Sequence, residues 1–347
     1  MKAAVKAKKG KGNIEIRDIP TPKPGTGEVL IKVRAAGLCH TDILLYDWAP
    51  AVEAEFQVSP PVVMGHELSG TIAEVGPDVK MVKPGDPVLV NPVLYCGRCY
   101  YCERGSQQLC IAFRPLLGFE LNGGYAEYVV IRERNVYKLP PQVDLEIAAL
   151  AEPFGLSIHA LGRIPIEPGE TLLISGPGPI GLMTLILALK AGASRIFVLG
   201  LGKDRKRLEL AKRLGGTALN VEEEDSKKRI LDETDGIGVD VAFEASGNGR
   251  ALADDLALLR KGGRLGVLGL SETATFNPTS FALSEKSMIG VRSYTIDTWK
   301  RCQEILSHNM VDLTSVISHR LPLEELEKGI QLVEESEAIK VIFIPER

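Results

Sequence analysis

The chain has no apolar run long enough to cross a bilayer; its most apolar stretch, around 180–191, is too short and too interrupted. The opening residues, Met-Lys-Ala-Ala-Val-Lys-Ala-Lys-Lys-Gly, carry positive charge but no apolar segment behind it, so a secretory signal is not expected. Net charge is also small, −4 at pH 7, which gives no electrostatic reason to expect nucleic acid or an anionic membrane as a partner. Repeats and low-complexity tracts are absent. Cysteine is scarce, six in 347 residues, and a disulfide framework is not expected in a chain of this size without a leader. What remains is the balance of a soluble globular protein, 45% apolar and 25% charged, in a length that accommodates two ordinary domains. A reducing cytoplasm is the location that fits thiols kept for metal.

The scarce cysteines are bunched. Cys96, Cys99, Cys102 and Cys110 form a C-x2-C-x2-C-x7-C run. Two-residue gaps let neighbouring thiolates turn onto one ion, and the longer gap lets the chain swing round to close a tetrahedron. Four sulfurs fill every position around Zn(II), so the lobe at about 91–112 is expected to hold a structural zinc with no room for substrate. An iron–sulfur cluster of ferredoxin type needs a different final gap and a following proline.

The first ~150 residues are rich in Val, Gly and Pro with short alternating runs, as in a β-rich domain with many turns. Strands are predicted at 28–35 and 69–75, and Gly85-Asp86-Pro87 marks a turn between strands. After about Pro153 the character changes. Strands are predicted at 170–175, 195–199, 239–244 and 264–268, with helices at 180–191 and 204–214, a rhythm that implies βαβ units and a parallel sheet. The last ~55 residues carry helices at 298–307 and 322–334 and a strand at 340–344, and are able to return to the first domain.

Gly176-Pro177-Gly178-Pro179-Ile180-Gly181 is G-x-G-x-x-G, placed after a predicted strand and opening a predicted helix. The first Gly serves the tight turn, the second the approach of a pyrophosphate, the third close helix–strand packing; the helix N-terminus faces the phosphates. An NAD site usually places an acid at the end of the next strand. Here that position is Gly200, and Lys203 and Arg205 follow, with Asp204 as a possible helix cap. Lacking the acid and having two cations, the chain is expected to favour NADP over NAD.

Cys39, His66, Glu67 and Glu152 are also residue types that bind metal, though spacing alone does not join them. An ordered set of landmarks does. Cys39-His40-Thr41-Asp42, Gly65-His66-Glu67, Gly85-Asp86, the four-cysteine lobe, Gly123-Gly124-Tyr125-Ala126-Glu127-Tyr128, Glu152-Pro153, the 176–181 turn and Glu244-Ala245-Ser246-Gly247 occur in sequence. With them the chain resembles the zinc-dependent medium-chain dehydrogenases/reductases over essentially its whole length. Glu152-Pro153 and Ser318-His319-Arg320 are similar to the polyol (sorbitol-type), butanediol and L-threonine 3-dehydrogenase branch.

The resemblance implies an α/β chain: a GroES-like β-rich catalytic domain from 1–150 and 291–347, and a Rossmann doubly wound parallel-sheet domain from 151–290, with the substrate cleft between them. It implies a catalytic zinc on Cys39, His66 and either Glu67 or Glu152, so two zinc ions per chain, and reversible transfer of hydride between a secondary alcohol and NAD(P). A thiolate and an imidazole suit zinc, and a catalytic site keeps one position open. A polyol, sugar alcohol or vicinal diol is the expected substrate, with L-threonine as the alternative. Threonine dehydrogenases usually carry a His shortly before the cysteine lobe, where Asn91 to Tyr95 has none. Thr41 matches the residue that passes the alcohol proton outward, but Leu44 stands where relatives often have a His at the outer end of that relay. Arg292 matches an Arg that helps bind polyol or cofactor, and Tyr46-Asp47-Trp48 is a candidate lining of the cleft mouth. His159 and Cys302 are expected to pack in helices. A homodimer or homotetramer is implied, with the cysteine lobe at an interface. Two rivals remain: a zinc-independent reductase, which would lack Cys39 and His66-Glu67, and a non-catalytic cofactor-binding protein, which would have little use for them.

Overall fold

The computed structural model describes residues 1–112, 115–270 and 273–345. The chain divides into two compact units, Met1–Pro153 together with Thr295–Arg347, and Phe154–Tyr294.

In the first unit the strand Glu28–Gly37 organises the rest. From Val29 to Gly37 it pairs antiparallel with Glu67–Val75, and two register shifts interrupt the ladder, at Leu30/Ile31 and Val33/Ala35. Such bulges bend a strand and increase its twist. The bent strand therefore reaches two further neighbours, Tyr128–Arg132 at its start and Lys340–Phe343 at its end. Pro87–Val90, Val136–Lys138 and Ile317–Leu321 complete a seven-stranded sheet, and Lys2–Lys6, Ile14–Asp18 and Val62–Val63 form a smaller one. The C-terminal strand thus joins the N-terminal ones across some 300 residues of sequence. Val29, Ile31, Ile72, Val88, Val129 and Phe343 meet in one apolar core.

The second unit is a six-stranded parallel sheet in the spatial order Thr217–Asn220, Arg195–Gly200, Thr171–Ser175, Val239–Glu244, Leu259–Val267, Ser287–Gly290. Ranked by sequence this is 3-2-1-4-5-6, the doubly wound nucleotide-binding order, with its switch point beside the first strand. Strands buried on both faces read as continuous apolar runs, as Leu172 to Ile174 and Ile196 to Val198 do. The helix Pro179–Lys190 is apolar on nearly every side because residues Gly181 through Ala188 are all buried.

Candidate functional site

The four lobe cysteines come together around two short 3-10 turns, Cys102–Arg104 and Gln107–Leu109. Their sulfurs all lie within 4.8 Å of one another. Cys96 Sγ is 3.9 Å from Cys102 Sγ, and Cys99 Sγ is 3.9 Å from Cys110 Sγ. A disulfide would need about 2 Å. A zinc–sulfur length of about 2.3 Å gives a tetrahedron with edges of about 3.8 Å, so the spacing fits that ion. Backbone N–H groups point at the sulfurs as well: Arg98 donates to Cys96 Sγ and Cys96 to Cys110 Sγ, each at 3.5 Å. The amides of Cys102 and Ile111 pull the Cys99 thiol down to about 6, while burial pushes Cys102 up to about 12. A coordinating cation deprotonates such thiols outright.

A second donor cluster joins Cys39, His66 and Glu67, again within 4.8 Å of one another. Strand register brings them together. Glu67 opens its strand and pairs with Gly37, two residues before Cys39, which precedes the helix His40–Asp47. His66 and Glu67 are both buried. Asp42, fully buried, lies with Oδ1 3.2 Å from His66 Nδ1 and accepts from Tyr125 Oη at 2.8 Å and from the Cys39 amide at 3.0 Å. A carboxylate behind the ring fixes which nitrogen faces a metal. Burial disfavours charge on His66, yet Asp42 and Cys39 outweigh it and hold the imidazole pKa well above its ordinary value. That concentration of negative charge is what a divalent cation would neutralise.

Glu67 has a partner that sequence reasoning missed. Lys340 is 2% exposed, and its Nζ donates to Glu67 Oε1 at 2.7 Å and to the Leu38 carbonyl at 2.8 Å. Desolvation lowers the lysine pKa, but Glu67 and then Cys39 more than compensate and raise it. Gly37 makes the pairing sterically possible: a Cβ there would lie 2.1 Å from Glu67 Oε2. One signal was present in the sequence, a single charge inside the apolar run Ile339 to Ile344, since a buried lysine is almost always paired.

The other expected residues are placed as follows. Thr41 Oγ1 is 3.4 Å from Cys39 Sγ. Glu152 stands at the second position of the helix Ala151–Arg163, outside the three-residue cluster, and its charge is felt at Lys340. Arg292 is exposed just beyond the strand Ser287–Gly290. Tyr46 and Trp48 pack over the Lys6 ammonium, 5.9 and 5.7 Å from ring centre to Nζ. His159 and Cys302 are buried in helices.

In the second unit the turn after Thr171–Ser175 is built on Gly176, Gly178 and Gly181. Gly176 has φ +101°, and a Cβ there would lie 2.8 Å from the Ser246 backbone. Gly178 is the N-cap of the helix, Pro179 its first residue, Ile180 its second, and a Cβ on Gly178 would meet nothing within 4 Å. Gly181 lets the helix approach to where a Cβ would be 2.0 Å from the Gly176 carbonyl oxygen. Gly200 ends the next strand; Lys203 and Arg205 are exposed beyond it.

A doubly wound parallel sheet with a Gly-rich strand-to-helix turn in one unit, and two zinc-type donor sets in the other, are the features of a zinc-binding dehydrogenase. Residues 25–141 match the alcohol dehydrogenase GroES-like domain and residues 179–308 the zinc-binding dehydrogenase domain. The chain belongs to this family of zinc-binding medium-chain alcohol dehydrogenases. It is similar to the L-threonine 3-dehydrogenase of Bacillus velezensis, 38% identical with 99% of each chain covered. It is 35% identical to the sorbitol dehydrogenase of Halalkalibacterium halodurans, with the same coverage. The solved structure of 2R,3R-butanediol dehydrogenase from Bacillus subtilis superposes with a TM-score of 0.89 at 28% identity over 99% of each chain. Among the described residues no helix is long and apolar enough to cross a membrane.

Proposed function

We propose that the chain oxidises a secondary alcohol reversibly to the ketone with NAD(P), and that the alcohol is a polyol, sugar alcohol or vicinal diol. The carrying observation is the buried Cys39–His66–Glu67 donor cluster with Asp42 behind the imidazole. Cys39, His66 and Glu67 would hold a catalytic zinc, with Glu152 as the alternative acid, and the four lobe cysteines a structural one. When bound, zinc supplies a Lewis acid for the alcohol oxygen and the nicotinamide supplies the hydride acceptor.

The chain's own residues do the rest. Asp42 fixes the His66 ring. Lys340 holds the Glu67 carboxylate on the side of Gly37 and Leu38. Thr41, next to Cys39, takes the alcohol proton outward; with Leu44 in the next turn, the outer carrier is water or a ribose hydroxyl. Residues 1–150 and 291–347 make up the catalytic domain, residues 151–290 the nucleotide domain, and the turn at 176–181 cradles the pyrophosphate. Arg292 is a candidate contact for polyol or cofactor, and the assembly is a homodimer or homotetramer. Between nucleotides, the exposed cations Lys203 and Arg205 would suit a 2′-phosphate but do not by themselves decide for NADP. Nor does the missing acid, because a Cβ at Gly200 would lie 2.8 Å from Pro177 Cγ.

L-threonine is the second reading, favoured by the 38% identity to a protein of that name. The test is reduction of NAD and NADP across polyols, diols, simple secondary alcohols and L-threonine, with zinc measured on the same sample. Turnover on a polyol or diol that is lost with the metal is expected. Turnover on L-threonine alone would select the second reading, and full activity without zinc would refute both.

A further inference from the structure

In this fold the side chain ending the second strand meets the ribose of the adenosine half. Gly200 leaves that place without one. The nearest acid of the following loop is turned inward: Asp204 is buried, accepts from the Leu201 amide at 3.2 Å and engages Arg207 at 3.0 Å. A carboxylate arrives instead from the neighbouring strand. Glu222 lies two residues beyond Thr217–Asn220, and its Oε2 accepts from the Gly202 amide at 2.7 Å. Its position is fixed by register. Gly200 pairs with Asn220, the Val221 amide donates to the Gly200 carbonyl at 3.0 Å, and the Glu222 amide donates to Asn220 Oδ1 at 3.1 Å. Gly202 is small for the same reason: a Cβ there would be 3.0 Å from Glu222 Oε2.

We infer that Glu222 reads the 2′ position of the adenosine ribose and selects NAD over NADP. The inference rests on the dinucleotide reading above. A 2′-hydroxyl can donate to the carboxylate while it stays on Gly202. A 2′-phosphate would bring negative charge against it and compete for the same amide. Discrimination then comes from the repulsive element as much as from the attractive one. Lys203 and Arg205, exposed in the same loop, become useful to a phosphate only once Glu222 is neutral.

The experiment is calorimetric binding of NAD+ and NADP+ to the intact chain and to Glu222→Gln, which keeps an acceptor for Gly202 and removes the charge. Glu223→Gln, an exposed neighbour, is the control. The unsubstituted chain should bind NAD+ more tightly. Glu222→Gln should move the ratio of the two dissociation constants toward NADP+ by about tenfold or more, and the control should leave it in place. Both nucleotides binding with an unaltered ratio in Glu222→Gln would overturn the role of Glu222 while the dinucleotide site stands; so would an unsubstituted chain that prefers NADP+. Failure of the unsubstituted chain to bind either nucleotide would overturn the dinucleotide reading and this inference with it.

Discussion

Two buried lysines show how single residues hold the first unit together. Lys340 faces Glu67 with neither exposed, so removing one partner strands the other charge in a dry place. Lys340→Met should cost about 3–5 kcal/mol of stability. Lys340→Met combined with Glu67→Leu should recover much of that, since no charge is left unpaired; urea unfolding of the three variants measures the coupling, and additive losses would contradict the pairing. Lys6 works differently. Its Nζ donates to three carbonyl oxygens, those of Gly10 and Gly12 at 2.6 Å and of Tyr46 at 2.8 Å, beneath the Tyr46 and Trp48 rings. Lys6→Met removes all three bonds, but the Gly10 carbonyl keeps Asn13 Nδ2 at 3.2 Å and the Tyr46 carbonyl keeps the Gly12 amide at 2.9 Å, so the loss in urea unfolding should be that of about one stranded acceptor, about 1–3 kcal/mol. The aromatic segment expected at a cleft mouth therefore has a packing role in hand.

At the scale of elements, long apolar runs were legible and their ends less so. The strand predicted at 28–35 runs from Glu28 to Gly37, and the one predicted from 69 begins at Glu67, because pairing of Gly37 with Glu67 extends both. The helix predicted from 298 begins at Ile296, capped by Thr295 Oγ1 accepting from the Thr298 amide at 3.1 Å. Ligand residue types were legible from their motifs, whereas Glu222 was not and Lys340 showed only as a lone charge in an apolar run, since each finds its partner through a contact remote in sequence. The same holds for Asp255, in the helix Gly249–Leu258, which is buried and accepts from Ser175 Oγ at 2.6 Å, at the end of the central strand. Desolvation, with Glu244 nearby, holds its carboxyl pKa well above the ordinary value. The sign follows. From an unfolded-chain pKa of about 3.9 upward to the raised folded value, the native state keeps a proton that the unfolded chain has lost. Stability then falls as pH climbs through that window. Asp255→Asn has no such proton, so its stability relative to the unsubstituted chain should grow from about pH 5 to pH 8. Urea midpoints at the two pH values decide, and a constant difference would mean the carboxyl is ionised in the fold.

The whole molecule divides its proposed chemistry: the metal-type donors lie in Met1–Pro153 and the Gly-rich turn of the parallel sheet in Phe154–Tyr294. Among the described residues each unit has an apolar core of its own. Two zinc ions per chain are expected, and each substitution should remove one with a different consequence. Cys39→Ser takes a donor from the cluster proposed to hold the catalytic ion, where one coordination position would stay free for substrate; turnover should vanish while NAD+ affinity stays within about twofold. Cys99→Ser takes a donor from the four-sulfur set, where the proposed ion would tie together a lobe built on two 3-10 turns. Its expected mark is an earlier thermal unfolding, with lost activity following from lost structure. Metal analysis, nucleotide calorimetry and melting on both variants separate the cases. Cys39→Ser protein that keeps two zinc ions and full turnover would refute the catalytic centre, whereas Cys99→Ser protein as heat-stable as its parent would leave the lobe's ion without a structural role.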